Sequence, residues 1–314
     1  MPHPEPRPAT DRPAEDPSPA GTLAGIRAAL PSLAPSERRV AEAVLADPAQ
    51  ASELSISALG KRADTSVATV MRFCRAIGIT NYPQLRLALA AAAAREDARG
   101  GDRPAPGTDI SATDTLDEIV RKIVYNEMHA LEDTGAGLDV EVLGRAVDAV
   151  AGARRIDVFG VGASAFVGQD LHQKLHRIGH TAFVWTDRHA ALTATALLGP
   201  GDVALAISHS GETEDTVEPL QVAAERGATT IALTNAPRSA LAVSADLVLA
   251  TCARETPFRS GATASRIAQL ALIDCLFVGV AQRSFDATTA ALEKTYGAVQ
   301  RRRRPQPQRR SPGD

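Results

Sequence analysis

The residues best suited to chemistry lie in the stretch 202–213, which reads Asp-Val-Ala-Leu-Ala-Ile-Ser-His-Ser-Gly-Glu-Thr. Its apolar half predicts a strand buried on both faces of a parallel sheet, ending at Ser208 on the sheet's carboxyl edge. Beyond that point the hydroxyls of Ser208, Ser210 and Thr213 surround Gly211, and residues 214–226 can run on as a helix. Short neutral donors, a glycine that permits close backbone approach and a helix N-terminus together suit an anion such as phosphate. Serine and threonine equally serve as plain caps at a strand-to-helix turn, so this stretch alone leaves both readings open. A second turn of the same kind, Gly160-Val161-Gly162-Ala163-Ser164, precedes a predicted helix over 166–178. Two such turns on one sheet edge favour the anion pocket.

The same turns admit other chemistries. Gly160, Gly162 and Ala165 satisfy a loose Gly-x-Gly-x-x-Gly/Ala pattern, and Asp187 follows the second strand, where a ribose-binding acid would sit. That dinucleotide reading stays open as an alternative, but hydroxyls on both turns fit one compact phosphate better than a pyrophosphate held by backbone amides. His172 and His176, one helical turn apart, have the spacing of a metal chelate but no Glu or Cys partner in view, so no metal and no cofactor is expected. His209 either works as an acid or base beside a sugar hydroxyl or points outward while its backbone shapes the turn. No nucleophile elbow and no Gly-x-x-x-x-Gly-Lys-Ser/Thr loop occurs.

The second informative stretch is 56–77. Ser57 is the expected cap of a short helix over 58–63, Asp64 and Thr65 form a tight turn, and Ser66 caps a longer helix to Ile77 that Gly78 closes. This is the helix-turn-helix pattern. Val67, Val70, Cys74 and Ile77 are expected to face inward, leaving Ser66, Thr69, Arg72 and Arg75 on the other face, with Lys61 and Arg62 nearby. Such side chains suit phosphates and major-groove base edges. A basic, solvated face on an ordinary helical bundle has the same composition. What favours DNA is the local net charge of +5 over 57–95, inside a chain of formal charge −3.

The elements that must position these residues fall into two groups. Residues 1–20 are rich in proline and are expected to form a disordered leader, followed by an all-α DNA-binding domain over 21–97 with Ser36 as the cap of its second helix. A Gly- and Pro-rich linker spans 98–114. From 115 to 300 we expect helices over 115–133 and 140–150, then an α/β doubly wound parallel sheet of about five strands: 156–159, 182–185, 203–207, 230–233 and 247–250. Residues 301–314 form a basic, proline-interrupted tail expected to stay disordered. The three cysteines show no paired spacing, which points to a reducing, cytoplasmic setting. No uninterrupted apolar run reaches the ~18 residues of a bilayer span, so no membrane partner is expected.

At these residues the chain resembles a known family. Residues 57–79, with Ser66-Val67-Ala68-Thr69-Val70-Met71-Arg72-Phe73-Cys74-Arg75-Ala76-Ile77-Gly78, are similar to the N-terminal helix-turn-helix of RpiR-type (MurR-like) bacterial transcription regulators. Residues 160–164, 208–213 and 260–276 are similar to their C-terminal sugar isomerase (SIS) domain. The resemblance covers about 23–299. One helix-turn-helix reads only a short half-site, so a homodimer or homotetramer on a near-palindrome is expected, with helices over 115–133 and 265–280 offering the apolar surface for pairing. No acid/base pair beyond His209 and Glu255 stands out, so no enzyme is expected. The resemblance implies a regulator of sugar or amino-sugar metabolism that binds operator DNA and senses a phosphosugar. It also implies that hydroxyls at Ser164, Ser208, Ser210 and Thr213 hold the phosphate, with Gly162, His209, Gly211 and Glu255 as further effector-site residues. The alternative is a phosphosugar isomerase with an appended nucleic-acid-binding domain. Thr65, where Val or Ile is commoner, and the arginine tail depart from the family pattern.

Overall fold

The computed structural model describes residues 22–30, 33–99, 110–253 and 263–300. The expected leader, the arginine tail, Glu255 and most of the 98–114 linker lie outside the described residues. The chain divides into two compact units, Met1–Arg103 and Pro104–Asp314.

The first unit is helical: α1 (Thr22–Ala29), α2 (Pro35–Ala46), α3 (Pro48–Glu53), α4 (Ile56–Arg62), α5 (Val67–Ala76) and α6 (Tyr82–Arg99). One apolar cluster joins them, with Ile26, Val40, Val44, Leu59, Val70, Phe73, Ile79, Leu85 and Leu89 buried. Several local expectations change. Helix α2 has Pro35 at its first position and no side-chain cap, so Ser36 does not cap it. The cap of α4 is Ser55, whose Oγ accepts from Ala58 N at 3.2 Å, rather than Ser57. The inward stripe of α5 is Val70, Phe73 and Cys74 with Thr69, while Val67 is 44% exposed. Arg72 and Arg75 mark the outer side of α5, and the side opposite them, which carries Val70 and Phe73, packs against α2 and α4. Gly78 (φ 79°) does close α5, and Ile79 N donates back to Cys74 O at 2.8 Å. Burial pushes the Cys74 thiol up to about 11, which keeps it protonated and inert.

The second unit begins with α7 (Leu116–Gly137), opened by a capping box between Thr115 and Glu118, and α8 (Val140–Ala151). It continues β1 (Arg155–Gly160), α9 (Ala163–Arg177), β2 (Ala182–Trp185), α10 (Arg188–Thr195), β3 (Asp202–Ile207), α11 (Glu214–Glu225), β4 (Thr229–Thr234), α12 (Ala240–Val243), β5 (Leu247–Ala250), α13 (Ala264–Arg283) and α14 (Phe285–Gln300). The sheet is wholly parallel in the order β2-β1-β3-β4-β5. Its two faces differ in grain. Ile156, Val158, Val203, Leu205, Ile207, Ile231 and Leu233 pack with α8, α9 and α13, whereas Ala204, Ala206 and Ala232 meet α10, α11 and α12. Alanine on the second face lets short helices sit close to the strands. Helix α13 is, among the described residues, the one helix long and apolar enough to span a bilayer by length and composition. The rule against an apolar run overlooked it because Arg266, Gln269 and Asp274 interrupt the run; its buried stripe packs into the core of this unit.

A buried charge sits within this sheet. Asp157 is fully buried and accepts from Arg155 Nε and Nη2 at 2.7 and 2.8 Å and from Trp185 Nε1 at 2.9 Å. Removing the carboxylate strands a half-buried guanidinium and an indole N–H. We expect Asp157→Ala to destabilise this unit by about 3 kcal/mol. Trp185 is the single tryptophan, so its fluorescence during urea unfolding reports this unit, and an unchanged midpoint would show the network to be energetically idle.

Candidate functional site

The pocket grows from where the strands end. Gly160 and Ile207 are partners in the β1–β3 ladder, so the following residues leave the sheet side by side. In the order β2-β1-β3-β4-β5 the chain proceeds outward in opposite directions from β1 and β3, which opens a crevice at their carboxyl ends. Val161, Ser164, Ile207, Ser208, His209, Ser210 and Thr213 line a cavity of ≈ 240 Å³ there. The two loops singled out in sequence are thus brought together, and five of the expected residues line the crevice, Ser164 from the α9 side and Ser208, His209, Ser210 and Thr213 from the α11 side.

Each hydroxyl has a distinct setting. Ser164 lies buried in the first turn of α9, whose N-cap Gly162 adopts φ 57°, ψ −129°, a glycine conformation. Gly160 has no room for a side chain, since a Cβ there would lie 2.9 Å from Ser164 O. Ser208 is 4% exposed; its Oγ accepts from Gly211 N at 3.1 Å and sits 3.1 Å from Thr213 Oγ1. Ser210 is exposed and its Oγ accepts from Glu212 N at 3.2 Å. Thr213 is the N-cap of α11, yet its hydroxyl makes no cap bond and turns toward Ser208 instead. Because Ser208 accepts from a backbone amide, its own proton remains for Thr213 or for a ligand. The two helix ends are not equivalent. Helix α11 carries Glu214 and Asp215 in its first turn, whereas the first turn of α9 has no acid, so α9 is the end that favours an anion more.

The β3 loop is held from behind by residues that the sequence reading passed over. His209 O accepts from Asn235 N at 3.1 Å and Thr234 Oγ1 at 3.3 Å, and Gly211 O accepts from Leu241 N at 2.9 Å. Gly211 (φ 67°) touches the next loop so closely that a Cβ would lie 1.9 Å from Ser239 Oγ. Asn235 Oδ1 in turn accepts from Ala253 N at 2.6 Å and Thr251 Oγ1 at 3.2 Å, tying down the exit of β5. The polar turn Thr-Asn-Ala-Pro after a buried strand was the available signal for this clamp.

In the first unit, α4 and α5 meet through a turn in which Asp64 adopts φ 47°. Thr65 N donates to Gly60 O at 2.8 Å, and a Cβ on Gly60 would sit 3.1 Å from Thr65 O. Arg39 of α2 braces the turn, with Nε and Nη2 donating to Ala63 O and Asp64 O at 3.2 and 3.0 Å. Lys61, Arg62, Ser66, Arg72 and Arg75 are exposed, as are Val67 and Ala68. Thr69 is not: it is 4% exposed, against the expectation that it shares the outer face. Its hydroxyl lies 3.1 Å from Ser66 Oγ and accepts from Arg72 Nη2 at 2.9 Å, while Arg72 Nε donates to Glu37 Oε1 at 3.3 Å.

The remaining candidates separate from this site. Asp187 caps α10 through Ala190 N at 2.9 Å, a structural use for the acid that the dinucleotide reading required. The rings of His172 and His176 lie 5.9 Å apart, in a groove shared with Thr295, Tyr296 and Val299. Among the described residues, no group of three or more His, Cys, Asp or Glu is placed to hold a metal.

Comparison with known proteins gives this geometry a family. Residues 20–96 match the model of the helix-turn-helix domain, rpiR family, and residues 149–279 match that of the SIS domain. An HTH-type transcriptional regulator of Caldanaerobacter subterraneus, TTE0211, is 39% identical over 283 residues, 90% of this chain and 98% of that protein. YbbH, an HTH-type transcriptional regulator of Bacillus subtilis, is 36% identical over 281 residues, covering 89% and 97% of the two chains. The structure of the Vibrio vulnificus NanR protein complexed with ManNAc-6P superposes with a TM-score of 0.55 at 28% identity, over 88% of this chain and 98% of that one. A DNA-binding helix-turn-helix unit joined to a SIS unit, in this order and at this identity, establishes that the chain belongs to the rpiR family of HTH-type transcriptional regulators.

Proposed function

We propose that this regulator senses a phosphosugar, an amino-sugar phosphate being the first class to test, and that the crevice between β1 and β3 is the effector site. The observation that carries this reading is the set of four hydroxyls, Ser164, Ser208, Ser210 and Thr213, that line one crevice from two helix N-termini. Among the described lining residues His209 alone is ionisable. The anion is therefore held by neutral donors and the α9 dipole rather than by a lysine or arginine. Gly162 permits the turn at the head of α9 and Gly211 the close seating of the β3 loop on Ser239, and Glu255, beyond the described residues, is proposed to reach the sugar. ManNAc-6P bound to NanR supports the ligand class. The protein is proposed not to be an enzyme. Aldose–ketose isomerisation moves a proton between neighbouring carbons and needs a placed acid/base partner, and His209 is the one such group described in the lining.

In the other unit, α5 is proposed to enter the major groove. Arg72 and Arg75 would read base edges, Lys61, Arg62 and Ser66 would meet phosphates, and the exposed Val67 and Ala68 suit thymine methyl groups. Thr69 acts from beneath, as a bonding partner of Arg72. A single helix-turn-helix reads a short half-site, so a two-fold dimer on a near-palindromic operator in the cytoplasm is proposed. Helix α7 offers the pairing surface, with Leu116, Val120, Val124, Met128 and Leu131 exposed along one stripe. The other helix expected to pair subunits, α13, uses most of its apolar surface in the core, leaving Val278 exposed.

Three outcomes follow. In titration calorimetry with hexose and hexosamine 6-phosphates, ManNAc-6P included, Ser164→Ala and Ser210→Ala should each weaken binding about tenfold or more, while dephosphorylated sugars bind poorly to the wild type. Equal affinity for a sugar and its phosphate would end the reading. Gly211→Ala should abolish effector binding through collision with Ser239, while DNA affinity without effector is kept; retained effector affinity would show that the clamp does not shape the pocket. Arg72→Ala and Arg75→Ala should each cost about 1 to 3 kcal/mol of operator binding at fixed salt, and unchanged binding by both would remove α5 from the interface.

A further inference from the structure

Resting on the reading of α5 as the DNA-reading helix, we infer that Glu37 of α2 is a specificity-determining residue that acts without touching DNA, by fixing which edge of the Arg72 guanidinium faces the bases. Arg72 is held from two sides: Nε by Glu37 Oε1 at 3.3 Å and Nη2 by Thr69 Oγ1 at 2.9 Å. A guanidinium has five N–H donors. Two are spent here, which leaves both Nη1 hydrogens and one on Nη2. Those remaining donors form the end-on fork that matches the O6 and N7 acceptors of guanine, whereas the side-on edge through Nε is occupied.

The surroundings support positioning over a chance surface contact. The Glu37 side chain is 14% exposed and that of Arg72 is 53% exposed, so the acid is the anchored partner and the arginine projects from it. Thr69, the second anchor, is buried, and its hydroxyl is within bonding distance of the helix cap Ser66. The Arg72 fork is thus referenced to the N-terminus of α5 and to α2 together. A carboxylate at the edge of a DNA-binding surface also repels phosphates. Glu37 therefore lowers general affinity for DNA while it sharpens the choice among sequences, because an arginine released from it is free to swing to the backbone.

These two effects have opposite signs on two kinds of DNA, which no loss of folding reproduces. The full-length protein is used to select a duplex from a random-sequence pool, and binding to it is compared with binding to a scrambled duplex of equal length and composition. For Glu37→Ala, affinity for the scrambled duplex should rise about twofold to threefold at low salt, and the ratio of selected to scrambled affinity should fall about fivefold to tenfold. Glu37→Gln retains the acceptor oxygen and should keep more of the ratio while showing the same gain on scrambled DNA. It also decides the matter if the alanine variant fails to fold, since a first-turn acid also serves the dipole of α2. In an Arg72→Ala background, Glu37→Ala should leave the ratio unchanged. An Arg72→Ala variant that loses discrimination beside Glu37 variants that do not would overturn the inference and leave α5 as the reading helix. Full discrimination by Arg72→Ala alone would likewise overturn the inference, whereas full discrimination by both Arg72→Ala and Arg75→Ala would defeat the reading of α5 on which it stands.

Discussion

The pairing of Gly160 with Ile207 across β1 and β3 is the constraint on which the second unit depends. In a parallel sheet the strand ends are level only where the ladder keeps them in register. At this point the register delivers two chain exits to one edge, and the chain then departs in opposite directions. A crevice is the consequence, and each wall of it is the start of a helix. Shifting either strand by one residue would turn every side chain to the opposite face, exchanging the Val, Leu and Ile of one face with the Ala of the other. The unequal faces therefore protect the register, and the register builds the pocket.

Pre-organisation behind the pocket comes from backbone-directed bonds rather than from charge. Asn235, Thr234 and Leu241 occupy the carbonyls of His209 and Gly211, and Gly211 leaves no gap against Ser239. The hydroxyls of Ser208, Ser210 and Thr213 then sit on a braced loop, which is the condition under which weak neutral donors would bind an anion well. Ser208 illustrates the economy of the design. Its oxygen secures the loop through Gly211 N while its proton stays available.

The helix-turn-helix unit uses the opposite strategy, in which long charged side chains do the bracing. Arg39 ties α2 to the turn at Ala63 and Asp64, and Glu37 ties α2 to Arg72. Helix α2 thus sets both where α5 begins and how one of its arginines is presented. Buried Phe73, Leu59 and Val40 hold the same three helices from the inside. The residues of α5 proposed to read DNA are consequently only as well placed as their contacts with α2.

The sequence by itself determined the elements whose signals are local. Buried strands showed as apolar runs, Gly78 as a helix end, Ser66 as a cap, and the two glycine- and hydroxyl-bearing turns as anion-binding candidates. Family resemblance added the pairing of functions that the comparisons bear out. Tertiary structure decided what depends on distant partners. Val67 and Thr69 exchanged their expected faces because the covered side of α5 is centred on Val70 and Phe73 opposite the two arginines, and the extent of the cover by α2 and α4 decides which flanking residue is buried. Ser55 displaced Ser57 as a cap, since two serines two residues apart carry the same local signal. The roles of Glu37 and Arg39 were illegible because each bonds to atoms far along the chain, and Asn235 showed only as part of a polar turn, without its partners. That both turns reach one sheet edge was legible; that β1 and β3 are neighbours, which makes the crevice, was not, because strand order is set by which apolar faces pack together.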